Sequence, residues 1–149
     1  MIIDSRLQLA AALNIPTSAT GAQVFGDYID LGTVPRDIGA ADDLYLLVQV
    51  TTSFAGPTSC SFSILNDNAG PPAFTTPNVV ASSPALATAV LAAGRTVWCI
   101  ELPRYVDMKR YLGVGVTING AAATAGAVNV FITTEPGRAR AYPDALPPV

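Results

Sequence analysis

Histidine is absent from all 149 residues. That removes Ser-His-Asp and Cys-His catalysis in their usual forms, together with the commonest protein ligand for zinc. The only cysteines, Cys60 and Cys99, are too few for a structural zinc site. Both sit in apolar, alternating contexts (SCSFSIL and TVWCIEL), which predicts two buried free thiols rather than a disulfide. Asp42 and Asp43 look like a carboxylate pair, but neighbours in an extended chain point to opposite faces, so a solvated loop pair is the expectation. Asn66-Asp67-Asn68 with Gly70 has residue types of a calcium loop without its bidentate glutamate, and reads as a turn. Gly113-x-Gly115 lacks the third glycine and the helix of a dinucleotide fingerprint. Glycine within a strand permits close backbone approach instead. Trp98 alternates with Val97 and Cys99 and reads as core or interface rather than a ligand-stacking platform. These constellations predict no enzyme, no metal and no cofactor.

The elements that would position any site are strands. Residues 111–134, YLGVGVTINGAAATAGAVNVFITT, organise the rest. Leu112, Val114, Val116 and Ile118 alternate with Tyr111, Gly113, Gly115 and Thr117, the period of a strand with one buried face. Asn119-Gly120 offers turn geometry, and Val128, Val130 and Ile132 resume the alternation. The connection is too long for a two-residue hairpin, so the two strands either pair directly or lie in different sheets. These 24 positions carry no charge, whereas a solvent-facing sheet surface normally keeps some Lys or Glu. Both faces of this element are therefore expected to be covered.

Along the rest of the chain, residues 24–32, 44–51, 60–65 and 95–102 read as strands bounded by Gly, Pro and Asn signals. A weak strand near 75–81 carries Pro77, which suits an edge or bulge, and 85–93 fits either a helical turn or a strand. Residues 7–15, LQLAAALNI, end at Pro16 and read as an ordered arm or short helix; Asp4, Gln8 and Asn14 do not suit a signal peptide. No stretch is apolar enough to span a membrane. About eight short strands with almost no helix give the pattern of a sandwich, barrel or jelly roll.

Composition points the same way. Half the residues are hydrophobic while 13% are charged, roughly half the usual share of about 25%. Between residues 51 and 94 the only charge is Asp67. Such a surface suits burial against partners better than life as a free monomer, although a Ser/Thr-coated soluble β protein is the plain alternative. The net charge of −3 and scattered basic residues argue against nucleic acid. Lys109-Arg110 and Arg138/Arg140 read as solvated rim charges.

Nearly end to end, the chain resembles the small jelly-roll cement, or decoration, proteins of tailed-phage capsids, especially those of short-tailed phages. The resemblance lies in the opening MIIDSRLQL, YIDLG at 28–32, the strand at 44–50, AGRTVWCIELP at 93–103, YLGVGVTINGAAATAGAVNVFIT at 111–133 and Tyr142-Pro143. It implies a non-catalytic virion protein on the outer surface of the capsid that ties neighbouring major-capsid subunits together. The expectation is thus a single all-β domain over 1–149, a jelly-roll-like β-sandwich of about eight strands with its core at about 24–134. Its arms, 1–15 and 135–149, are expected to hold partners: the major capsid protein and further copies in a homodimer or homotrimer. Ile2, Ile3, Leu7 and Leu9 in the first arm, and Arg138, Arg140, Tyr142 and Leu146 in the Pro-rich second, are the candidate contacts. A carbohydrate- or receptor-binding jelly roll of a phage tail or fibre is the rival reading. It would need clustered exposed aromatics and carboxylates, whereas the five tyrosines and one tryptophan are scattered along the chain.

Overall fold

A computed structural model describes residues 7–15, 20–32, 43–69, 77–103 and 108–138. Among the described residues there are nine strands: β1 (Gln8–Asn14), β2 (Gly21–Asp30), β3 (Tyr45–Ala55), β4 (Ser59–Asp67), β5 (Asn78–Ser82), β6 (Leu86–Ala87), β7 (Thr96–Glu101), β8 (Tyr111–Asn119) and β9 (Ala125–Thr133). They form two antiparallel sheets, ordered β1-β9-β3-β7 and β2-β8-β4-β5, with short β6 added beside β4. The pairs β4/β5, β3/β7, β2/β8 and β1/β9 nest inside one another. Wrapping that ribbon brings β9 against β3 and β8 against β4. This is jelly-roll topology, and the sequence-based fold class holds.

The core follows from the alternation. Leu46, Val48 and Val50 of β3, Cys60, Phe62 and Ile64 of β4, Leu112, Val114, Val116 and Ile118 of β8, and Val128, Val130 and Ile132 of β9 form one buried cluster. Phe54 of β3 meets Phe62 of β4 edge-on, ring centres 6.3 Å apart, joining the sheets. Such a pair adds about 1 kcal/mol beyond its buried area. The two strands of residues 111–134 lie in different sheets, and on their second faces Gly113, Gly115, Ala127 and Phe131 are buried, Gly115 beneath the side chains of Leu65 and Ser63.

Two expectations change, and one left open is resolved. Residues 7–15, expected as an ordered arm or short helix, hold a strand of the sandwich. β1 pairs with β9 along the edge of the first sheet, and Leu9, Ala10 and Ile15 belong to the core, which therefore begins well before residue 24. Two register shifts along β1, with Ala12 at φ +44°, break the alternation that would have announced a strand. The Asn129 side chain holds that irregularity by accepting the Ala12 N–H at 2.6 Å. Cys99, expected to be buried, is exposed, because β7 is the free edge of the first sheet among the described strands and Cys99 stands opposite Leu47 on its outer face. Trp98 and Ile100, on the inner face, are half-buried against the core. The ambiguous stretch 85–93 resolves into both options, since β6 runs directly into a 3-10 turn, Thr88–Val90.

Candidate interaction surface

Register decides which side chains share the outer face of the second sheet. Tyr111, Gly113, Gly115 and Thr117 of β8 stand opposite Asp67, Leu65, Ser63 and Ser61 of β4. On the other side Tyr111, Gly115 and Thr117 meet Asp30, Val24 and Ala22 of β2. A shallow groove of about 410 Å³ crosses the middle of this face, with Val24 and Val79 among its walls and Ser63, Leu65, Gly115 and Thr117 among its lining. Among the described residues, no charged side chain lines it. Gly115 is glycine for a local reason: a Cβ there would lie 2.8 Å from both Leu65 Cδ1 and Ser63 Oγ, which lean over it.

At one end of the face, β2 leaves regular pairing between Phe25 and Ile29. Gly26 takes φ +78°, and a Cβ on it would strike the backbone carbonyl of Leu9, where β1 passes over β2. A bulge of this kind re-aims the side chains it carries. Here it brings the Tyr28 ring within 5.6 Å of Tyr111, at an interplanar angle of 77°. The Arg110 guanidinium lies 4.8 Å from the centre of the Tyr111 ring. It also clasps Asp30 through two hydrogen bonds, Nε to Oδ1 at 3.0 Å and Nη2 to Oδ2 at 2.8 Å. Asp30 Oδ1 accepts the Gly32 N–H at 2.8 Å, and Asn68 Oδ1 accepts the Arg110 N–H at 3.2 Å. The Arg110 side chain, then the Gly32 N–H, hold the Asp30 carboxyl down to about 2. Ion pair and rings are partly open to solvent; Tyr28 is 45% exposed.

The sequence-predicted residues divide. Leu9, proposed as a contact, is 1% exposed inside the sandwich and offers a partner nothing. Leu7 is half-buried against the core. Arg138 closes a short 3-10 turn, Pro136–Arg138. Ile2, Ile3, Arg140, Tyr142 and Leu146 lie outside the described residues, as does Asp42 of the carboxylate pair. Asp67 does form a turn: its Oδ1 accepts the N–H groups of Asn68 and Ala69 at 2.7 and 3.2 Å. Among the described residues, no three His, Cys, Asp or Glu converge as metal ligands, and no helix is long and apolar enough to cross a membrane.

Sequence reasoning missed the Tyr28–Tyr111–Arg110–Asp30 cluster. Its ion pair joins residues 80 positions apart, and Arg110, beside Lys109, read as a solvated rim charge. The tyrosines that appeared scattered are, for this pair, adjacent in space.

One family profile, that of Bbp16, matches residues 12–132, from within β1 to nearly the end of β9. The chain belongs to the Bbp16 family. The family is phage-related. No curated protein matches the chain. The profile begins inside β1, consistent with that strand being part of the folded unit rather than an appendage.

Proposed function

We propose that this Bbp16-family chain is a capsid cement, or decoration, protein. It binds the outer surface of the assembled phage head and clamps neighbouring major-capsid subunits; its role is structural, not catalytic. The observation that carries the reading is the groove on the outer face of the second sheet, which among the described residues is lined without charge and walled by exposed Val24 and Val79. A protein that touches two subunits of a shell gains avidity, because its second contact is intramolecular. Self-association into a homodimer or homotrimer on a symmetry axis extends the same arithmetic. The test is co-sedimentation with heads purified from a phage lacking this chain, with light scattering of the free protein alongside. Saturable binding in a fixed ratio to capsid subunits supports the proposal, and absence of binding overturns it.

A second reading, a carbohydrate- or receptor-binding module of a tail or fibre, draws on the exposed Tyr28 ring beside the Asp30–Arg110 pair. Binding to isolated glycans with none to heads would favour it.

A further inference from the structure

We infer that the outer face of the second sheet, anchored by Tyr28, Tyr111 and Arg110, seats on one subunit of a repeating protein array. This inference rests on the decoration reading and names the surface that reading needs.

Three observations converge. First, the anchor has the composition and pre-ordering of an interface hot spot. Tyr and Arg dominate such sites, and side chains already held in place lose less freedom on binding. Here Arg110 is fixed by Asp30 on one side and the Tyr111 ring on the other, while Tyr28 is braced edge-on. Second, the anchor flanks the groove on the same face, whose edge strands present Val24 and Val79 at 40% and 62% exposure. An apolar centre with a self-neutralised ion pair at its border has the layout of a protein interface, and it suits a partner surface of low charge.

Third, the size of the face selects the kind of partner. The four described strands of this face, five to ten residues long and about 4.8 Å apart, span a flat footprint of roughly 500 Å². A stable one-to-one complex takes about 800 Å² from each partner, so this face belongs to the weak class. A weak face becomes useful when the partner repeats and several contacts are made together. A single sugar ring would leave most of the groove open, and a lone soluble partner would be held poorly. A regular array of subunits fits both facts.

The experiment uses the full chain and heads purified from a phage lacking it. Tyr28→Ala and Val79→Asp change exposed positions, so the fold is expected to survive, and circular dichroism checks this. Val90→Ser, on the 3-10 turn away from this face, is the control. Each test variant should raise the half-saturation concentration on heads about tenfold or more, as truncation of a central contact does. The control should bind like wild type. Unassembled capsid protein should bind at least about a hundredfold more weakly than heads. Three results overturn the inference: variants that bind heads as wild type does; variants that lose self-association but keep head binding, which gives the face to a second copy; and variants that lose glycan binding alone. If wild type itself fails to bind heads, the decoration reading falls first, and the wild-type measurement reports that separately.

Discussion

Gly26→Ala tests the corner where β1 passes over β2, and with it the claim that the N-terminal segment is structural. Gly26 sits at φ +78°, where an L-residue costs about 1–2 kcal/mol. The added methyl would also meet the Leu9 carbonyl, a backbone atom that cannot rotate away. Overpacking of that kind costs about 1–3 kcal/mol. Lower backbone entropy in the unfolded chain returns up to about 1 kcal/mol. The net loss is therefore roughly 2–4 kcal/mol from a stability of about 5–15 kcal/mol. For a domain of this size that lowers the melting midpoint by about 5–15 °C. Gly21→Ala is the matched control: its φ is +99°, but nothing lies within 4 Å of the position its Cβ would take. It should lose only the conformational part. The assay is thermal unfolding followed by circular dichroism, with both variants beside wild type. Equal melting of the two variants would refute the close approach of β1, and an unchanged Gly26→Ala would refute the strained turn as well.

Other expectations can be checked on the same preparations. Cys60 is fully buried and its thiol is pushed up to about 11 by that burial, while Cys99 is exposed. A thiol reagent should modify one cysteine quickly in the native protein and the second only on unfolding; two equal rates contradict this. Val116→Asp places an unpaired carboxylate in the sandwich, costs several kcal/mol or more, and should leave no cooperative melt. A melt like wild type would mean that the β8 register is wrong. Asp30 is depressed to about 2, so its pairing stabilises the fold above the ordinary value of 3.8 and is lost as pH falls from there toward 2. The difference in melting between wild type and Asp30→Asn should shrink over that window; a constant difference contradicts the pairing.

Strong period-two alternation made β3, β4, β7, β8 and β9 legible, and the absence of charge over 111–134 matches the buried positions that β8 and β9 carry on both faces. β1 was hidden because LQLAAALNI has no alternation to read: its bulges place neighbouring Leu9 and Ala10 both inside, and the Asn129 side chain that stabilises the irregularity comes from a distant strand. Cys99 was misplaced because alternation reports faces but not whether a strand is central or at an edge. The Tyr28–Tyr111–Arg110–Asp30 cluster depends on β2 pairing with β8 and on the bulge after Phe25, and neither leaves a mark at short sequence spacing. Uncharged strands could be read as a surface in need of a partner; which part of that surface carries an anchor could not.

The most direct measurement is a cryo-electron microscopy map of phage heads carrying this protein at full occupancy. The map should show a β-sandwich on the outer surface of the shell, its β2-β8-β4-β5 sheet facing a capsid subunit, with Tyr28 and Val79 at the contact. Density for the protein at the tail, or on the head with that sheet turned to solvent, would contradict it.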